Sequence, residues 1–132
     1  MIKGIAHLAF QVSNMENSIS FYNKAFGFKK KFTLEDDMNQ PWIVYLEVSK
    51  SQFIELFYSS LNFPRKEAMS YQHLCLEVED IFEFEKHIAR IGLTLDKPVI
   101  LGKDNNYQCW MNDPDGNPIE IMQYTKDSLQ LQ

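Results

Sequence analysis

The stretch HLCLEV at residues 73–78 restates HLAFQV at His7–Val12. Its histidine, leucine and valine are kept, and Phe10 and Leu76 are both apolar. A chain that says one thing twice is read as two copies of one supersecondary unit, so each copy is followed outward. After the first, Asn14 offers a helix N-cap, Met15, Ile19, Tyr22 and Phe26 recur at helical spacing, and Gly27 supplies a stop. After the second, Asp80 is the cap, Ile81, Phe84, Ile88 and Ile91 form the stripe, and Gly92 ends it. Cap, stripe and terminal glycine agree at both places, which predicts a helix in each half.

Three strands follow in each half, at 28–35, 42–48 and 52–58 and again at 94–101, 106–112 and 118–124. Turn residues DDMNQP, SKS, GKDN and DPDGNP divide them. The closing strands also match, FIELF at 53–57 with PIEIM at 118–122. The expectation is an α+β chain, one domain of two tandem βαβββ modules. Module 1 covers about 3–58 and module 2 about 71–124. The polar segment 59–70, with Pro64 and Arg65-Lys66-Glu67, is the connector, and 125–132 is a disordered tail.

The chain has 132 residues, 45% hydrophobic and 14% aromatic, enough to build one core. Its net charge of −5 argues against a nucleic-acid partner or an anionic membrane surface. No apolar run is long enough to span a bilayer, and the alternating N-terminus does not read as a signal peptide. Cys75 and Cys109 have neither zinc-ribbon nor C-x-x-C spacing and read as reduced core thiols of a cytoplasmic protein.

Strand parity picks out four polar residues. Side chains alternate between faces. If Leu8, Phe10 and Val12 pack under the helix, His7 points away. The same holds for His73 against Leu74, Leu76 and Val78, for Glu55 between Ile54 and Leu56, and for Glu120 between Ile119 and Ile121. Singly, each is an ordinary surface residue. Jointly, two histidines and two glutamates at matching repeat positions offer two nitrogens and two carboxylates. That set suits a divalent transition metal, which would offset the cost of burying the carboxylates. His87, off the helix stripe, reads as surface. Asp113 and Asp115 read as parts of a tight turn. Cys75 shares the face of His73. Trp42, Tyr45, Phe53, Phe57, Tyr107 and Trp110 sit in strands and are divided between core and pocket lining.

From residue 5 to 123 the sequence resembles the vicinal oxygen chelate superfamily, which includes glyoxalase I. HLAFQVSNMENSISFYNKAFGF, HLCLEVEDI and DPDGNPIEI carry the resemblance. The resemblance implies a curved, partly closed mixed sheet with the helices outside, and a homodimer. It also implies a divalent ion (Ni, Zn, Mn or Co) on His7, Glu55, His73 and Glu120. The implied activity is that of a glyoxalase-I-like lyase or isomerase. Its substrate would be a 2-oxoaldehyde–thiol adduct, or a similar small molecule with neighbouring oxygens, reacting through an enediolate with Glu120 as base and Glu55 as its partner. Two departures point away from glutathione: Gln11 stands where glyoxalase I often has arginine, and Ser59 lies near where it often has asparagine. The alternatives are a thiol transferase of the fosfomycin-resistance type and a binding protein, like the bleomycin-binding relatives, that sequesters a ligand without chemistry.

Overall fold

A computed structural model describes residues 1, 3–59 and 70–132. The predicted connector therefore lies almost wholly outside the described residues. The chain divides into two compact units, Met1–Pro64 and Arg65–Gln132.

In the first unit β1 (His7–Val12) leads into α1 (Met15–Phe26), then β2 (Lys29–Glu35), β3 (Pro41–Ser49) and β4 (Gln52–Tyr58). The sheet order is β1-β4-β3-β2, with β1 parallel to β4 and the other pairs antiparallel. The second unit repeats this with β5 (Leu74–Glu77), α2 (Ile81–Arg90), β6 (Lys97–Leu101), β7 (Tyr107–Asn112) and β8 (Pro118–Gln123), in the order β5-β8-β7-β6. The predicted βαβββ pair is thus present, as two four-stranded mixed sheets. Strand β6 starts three residues later than the sequence pattern suggests.

The helix ends are where the sequence puts them. Asn14 accepts a hydrogen bond from the Asn17 N–H at 3.0 Å, and Asp80 accepts from Phe82 and Glu83 at 3.0 Å each. Gly27 takes the left-handed conformation (φ 73°) that closes α1. The buried stripe of α1 differs from the predicted one. Met15, Ser18, Tyr22 and Ala25 are buried, while Ile19 and Phe26 are half-buried. Ser18 and Ala25 are small, so α1, which packs on β4, buries them rather than their larger neighbours. In α2, which packs on β6, β7 and β8, Ile81 and Ile88 are buried and Phe84 and Ile91 half-buried.

Parity holds in the strands. Val12, Ile54 and Leu56 in one sheet, and Leu74, Ile119 and Ile121 in the other, are buried. Cys109 is a core thiol as expected. Cys75 is not: it is exposed, on the side of β5 opposite the buried Leu74. His87 is half-buried rather than on the open surface, 6.5 Å from the Phe84 ring.

The tail is ordered, contrary to its polar composition. Leu129–Leu131 form a 3-10 turn, and the Leu129 N–H donates to the Asp104 carbonyl at 3.0 Å. Asn106, 1% exposed, donates through Nδ2 to Asp104 Oδ2 (2.9 Å) and Gln130 Oε1 (2.7 Å), and its Oδ1 accepts from the Thr125 N–H (3.3 Å). The β6–β7 turn is so close that a Cβ on Gly102 would meet Asp104 Oδ1 at 2.7 Å and Gln108 Nε2 at 2.6 Å. Asn106→Ala removes its three side-chain bonds and takes from the Thr125 N–H its acceptor, while Asp104 Oδ2 and Gln130 Oε1 keep other donors, so it should cost about 1–3 kcal/mol. Urea unfolding would read that loss, and limited proteolysis would show the residues after Thr125 cut first.

Candidate metal centre

The two histidines and two glutamates fall into one pair per module. The parallel register sets His7 opposite Phe53 and Ala9 opposite Glu55, so the histidine sits one strand over and two residues up from the carboxylate. His7 Nδ1 lies 3.3 Å from Glu55 Oε1. In the second module Leu74 opposes Ile119 and Cys75 opposes Glu120. His73, just before β5, brings Nε2 to 3.0 Å from Glu120 Oε2. The repeat at the level of letters is therefore a repeat at the level of side-chain pairs.

The carboxylates differ in surroundings. Glu55 is 5% exposed although it points away from the Ile54–Leu56 face. Tyr45 stands directly across the β3–β4 hairpin from it. Hydrogen bonding to Glu55, then desolvation and the nearby negative charge, holds the Tyr45 phenol above its ordinary value. Glu120 is more open, its side chain 18% exposed. Its cross-strand neighbour on β7 is Trp110, whose indole N–H donates elsewhere, to Gln108 Oε1 at 3.1 Å. On its other side Cys75 is its neighbour in the parallel β5–β8 register. Desolvation of the sulfur, followed by the Glu120 charge, pushes the Cys75 thiol up to about 12.

His73 also lines a cleft of about 330 Å³ with Lys97, Asp96, Gln72, Trp110, Met111, Asn112 and Pro118. Its ring meets Trp110 edge-on at 4.8 Å, and Lys97 Nζ lies 5.2 Å from the centre of the same indole. Asp113 and Asp115 are turn residues as expected. Asp113 is buried and accepts from the Asp115 N–H (2.9 Å), the Asn117 N–H (2.8 Å) and Asn117 Nδ2 (2.9 Å), and Gly116 closes the turn at φ 80°.

Two groups escaped the sequence reading. Tyr45 reads from the sequence as core or pocket lining, and it comes to stand opposite Glu55 only through a register shift between Glu47 and Ser49, ahead of the Lys50-Ser51 turn. Lys97 carries no local signal, since one lysine at a strand start reads as solvated surface. Among the described residues no three His, Cys, Asp or Glu side chains gather as a ready-made metal cluster. What each module holds is a pair.

The family profile described as the glyoxalase/bleomycin resistance protein/dioxygenase superfamily matches residues 4–121. The chain belongs to this superfamily. Among its superfamily relatives, a metallothiol transferase FosB of Lysinibacillus sphaericus is 31% identical over 128 residues, 91% of this chain and 82% of that protein. A lactoylglutathione lyase of Neisseria meningitidis serogroup A is 24% identical over 123 residues, 90% of this chain and 89% of that one. The crystal structure of a glyoxalase family protein from Enterococcus faecalis superposes with a TM-score of 0.78 at 26% identity, covering 91% of this chain and 97% of that one. Relatives within the superfamily are enzymes of at least two kinds, and shared fold does not choose between them. Among the described residues no helix is long and apolar enough to cross a membrane.

Proposed function

We propose that the protein is a metal-dependent lyase or isomerase of the glyoxalase type, working as a homodimer, with His7, Glu55, His73 and Glu120 as ligands of a divalent cation. The observation that supports it is the duplicated pair: in each module a carboxylate set away from the helix-covered face meets an imidazole nitrogen within 3.3 Å. The residues fit such an ion by their chemistry. Imidazole nitrogen and carboxylate oxygen together suit nickel, zinc, manganese and cobalt, and Glu55 is a carboxylate held out of water whose burial a cation would offset.

When bound, the ion supplies Lewis-acid stabilisation of negative charge on the substrate's oxygens. The chain's own residues do the rest. Glu120 takes a proton from the carbon beside a carbonyl and returns it to the neighbouring carbon. Glu55 stays buried and fixed. The Trp110 indole and the His73 ring form one wall of the cleft that admits the substrate. The substrate class is a 2-oxoaldehyde–thiol adduct or a similar molecule with adjacent oxygens.

A second reading, thiol transfer to a small electrophile, is favoured by Lys97. It puts a cation in the cleft of His73, where an anionic group such as a phosphonate could dock. One experiment tests both. Untagged protein is loaded with nickel, zinc, manganese or cobalt, its metal content measured, and the loaded protein assayed on two substrate sets. About one ion per chain, with turnover of 2-oxoaldehyde–thiol adducts, is the expected result. Turnover of fosfomycin with a thiol, and none of the adducts, selects the second reading. No stoichiometric metal under any loading removes both and leaves ligand sequestration.

A further inference from the structure

We propose that Phe32 and Trp42 form an aromatic shelf beside Glu55 that takes a flat aryl group, so that the 2-oxoaldehyde whose thiol adduct this site accepts is an aryl one. The inference rests on the metal-site reading above and narrows its substrate class.

Two irregularities in the first sheet put these rings in place. Lys29 and Lys30 pair with Glu47 and Leu46, so an unbroken ladder would set Lys31 against Tyr45. The register shifts there, and Phe32 stands against Tyr45 instead. Residues paired across an antiparallel ladder share a face, and on its other side Tyr45 pairs with Glu55. The shift therefore gives the face of Glu55 a phenyl ring where a regular strand would give it an ammonium. The displaced Lys31 bonds to Glu47 at 3.2 Å. A second shift skips Trp42: Leu34 pairs with Ile43 and Glu35 with Pro41. The unpaired Trp42 turns its indole to Phe57, which it meets edge-on at 5.8 Å. Bulges of this kind re-aim side chains beside functional sites.

The outcome is an aromatic surface continuous with the candidate site. Phe32 stacks on Tyr45 at 4.3 Å with planes 19° apart, and Tyr45 meets Phe53 edge-on at 6.1 Å. Phe53 and Phe57 flank Glu55 on its own strand and face. The remaining side is open, because the exposed Ala9 stands across from Glu55 on β1. Phe32 and Trp42 are still 42% and 47% exposed. Open rings beside a carboxylate–imidazole pair suit the ring of a small ligand, since ring-on-ring contact adds to the burial of apolar area. A protein surface laid on the same shelf would have to desolvate the His7–Glu55 pair as well. The second module has no such lining. Pro118 and Met122 flank Glu120 where Phe53 and Phe57 flank Glu55, and the β7–β8 ladder runs without a shift.

The test compares benzohydroxamate with acetohydroxamate on the cobalt-loaded protein, each titration followed in the visible bands of the bound cobalt. Both probes offer a cation two neighbouring oxygens, and they differ only in phenyl against methyl. In the parent, benzohydroxamate should bind about 10- to 100-fold more tightly. In the double variant Phe32→Ala/Trp42→Ala that preference should fall below about threefold as the ring contacts go, with cobalt content and acetohydroxamate affinity unchanged. Trp42→Ala alone, on a half-exposed residue, should lower the preference part of the way and serves if the double variant melts early. Equal affinity for the two probes in the parent would overturn the inference while leaving the metal site standing, and would mean that a second copy of the chain or other protein covers the shelf. A phenyl preference that survives in both variants would overturn the assignment to Phe32 and Trp42. Failure of the parent to bind cobalt would bring down the metal reading and this inference with it.

Discussion

Glu120→Gln lowers turnover by about 10²- to 10⁴-fold, the usual worth of a positioned general base, and leaves the fold intact. Glutamine has the same length and shape, and Glu120 is only partly buried, so little packing is disturbed. Its amide oxygen can still reach a cation, but it cannot take up a proton. The measurement is kcat on a 2-oxoaldehyde–thiol adduct, corrected for metal content in the same sample. Turnover near that of the parent at equal metal content would remove Glu120 as the base. The same substitution at Glu55 separates the two carboxylates, because it should lower metal content first and turnover in proportion.

Leu56→Ala has the second large effect, on stability. Leu56 is fully buried, and it pairs with Phe10 of β1 and Val44 of β3 at the centre of its sheet. Truncating it removes buried apolar area and leaves a cavity, at a cost of about 2–5 kcal/mol. Against a total stability of about 5–15 kcal/mol for an ordinary protein, that is a large fraction. The melting temperature should fall by roughly 10 °C or more. Because Leu56 points to the face opposite Glu55, cobalt binding by the folded fraction should persist at low temperature. A melting temperature within a degree or two of the parent would mean that the α1–β4 layer is not what holds the first module together.

Much of this architecture could be read from letters because the repeat supplies an internal check. Asn14 and Asp80 are caps in both halves, and Gly27 and Gly92 both adopt positive φ after their helices. Two independent copies of one pattern leave little room for chance. The His–Glu pairs were legible for the same reason, through parity and matched position. What stayed hidden depends on partners distant in sequence or on size. Hydrophobic periodicity selects large residues, so it preferred Ile19 and Phe26 to the small, buried Ser18 and Ala25 of α1. Parity placed Cys75 on the face of His73 correctly, but parity does not say whether anything covers that face, and the residue is exposed. The tail looked unstructured because its order comes from hydrogen bonds to the Asp104–Asn106 turn, not from apolar burial. Lys97 joins the cleft only through the β6–β7 pairing that sets it against Trp110.

The strand order has a consequence for when the site exists at all. In each module the histidine strand and the glutamate strand are sheet neighbours, yet a helix and an entire hairpin separate them along the chain. No partial fragment of a module, a helix with one hairpin for example, can bring imidazole and carboxylate together. The pair is a closure signal, made only when the first strand zips against the last. A ligand that grips it recognises finished modules alone and holds them by mass action, worth about 2.7 kcal/mol at a hundredfold excess over its dissociation constant. Supply of the ligand would then govern how long the protein survives as well as how fast it works.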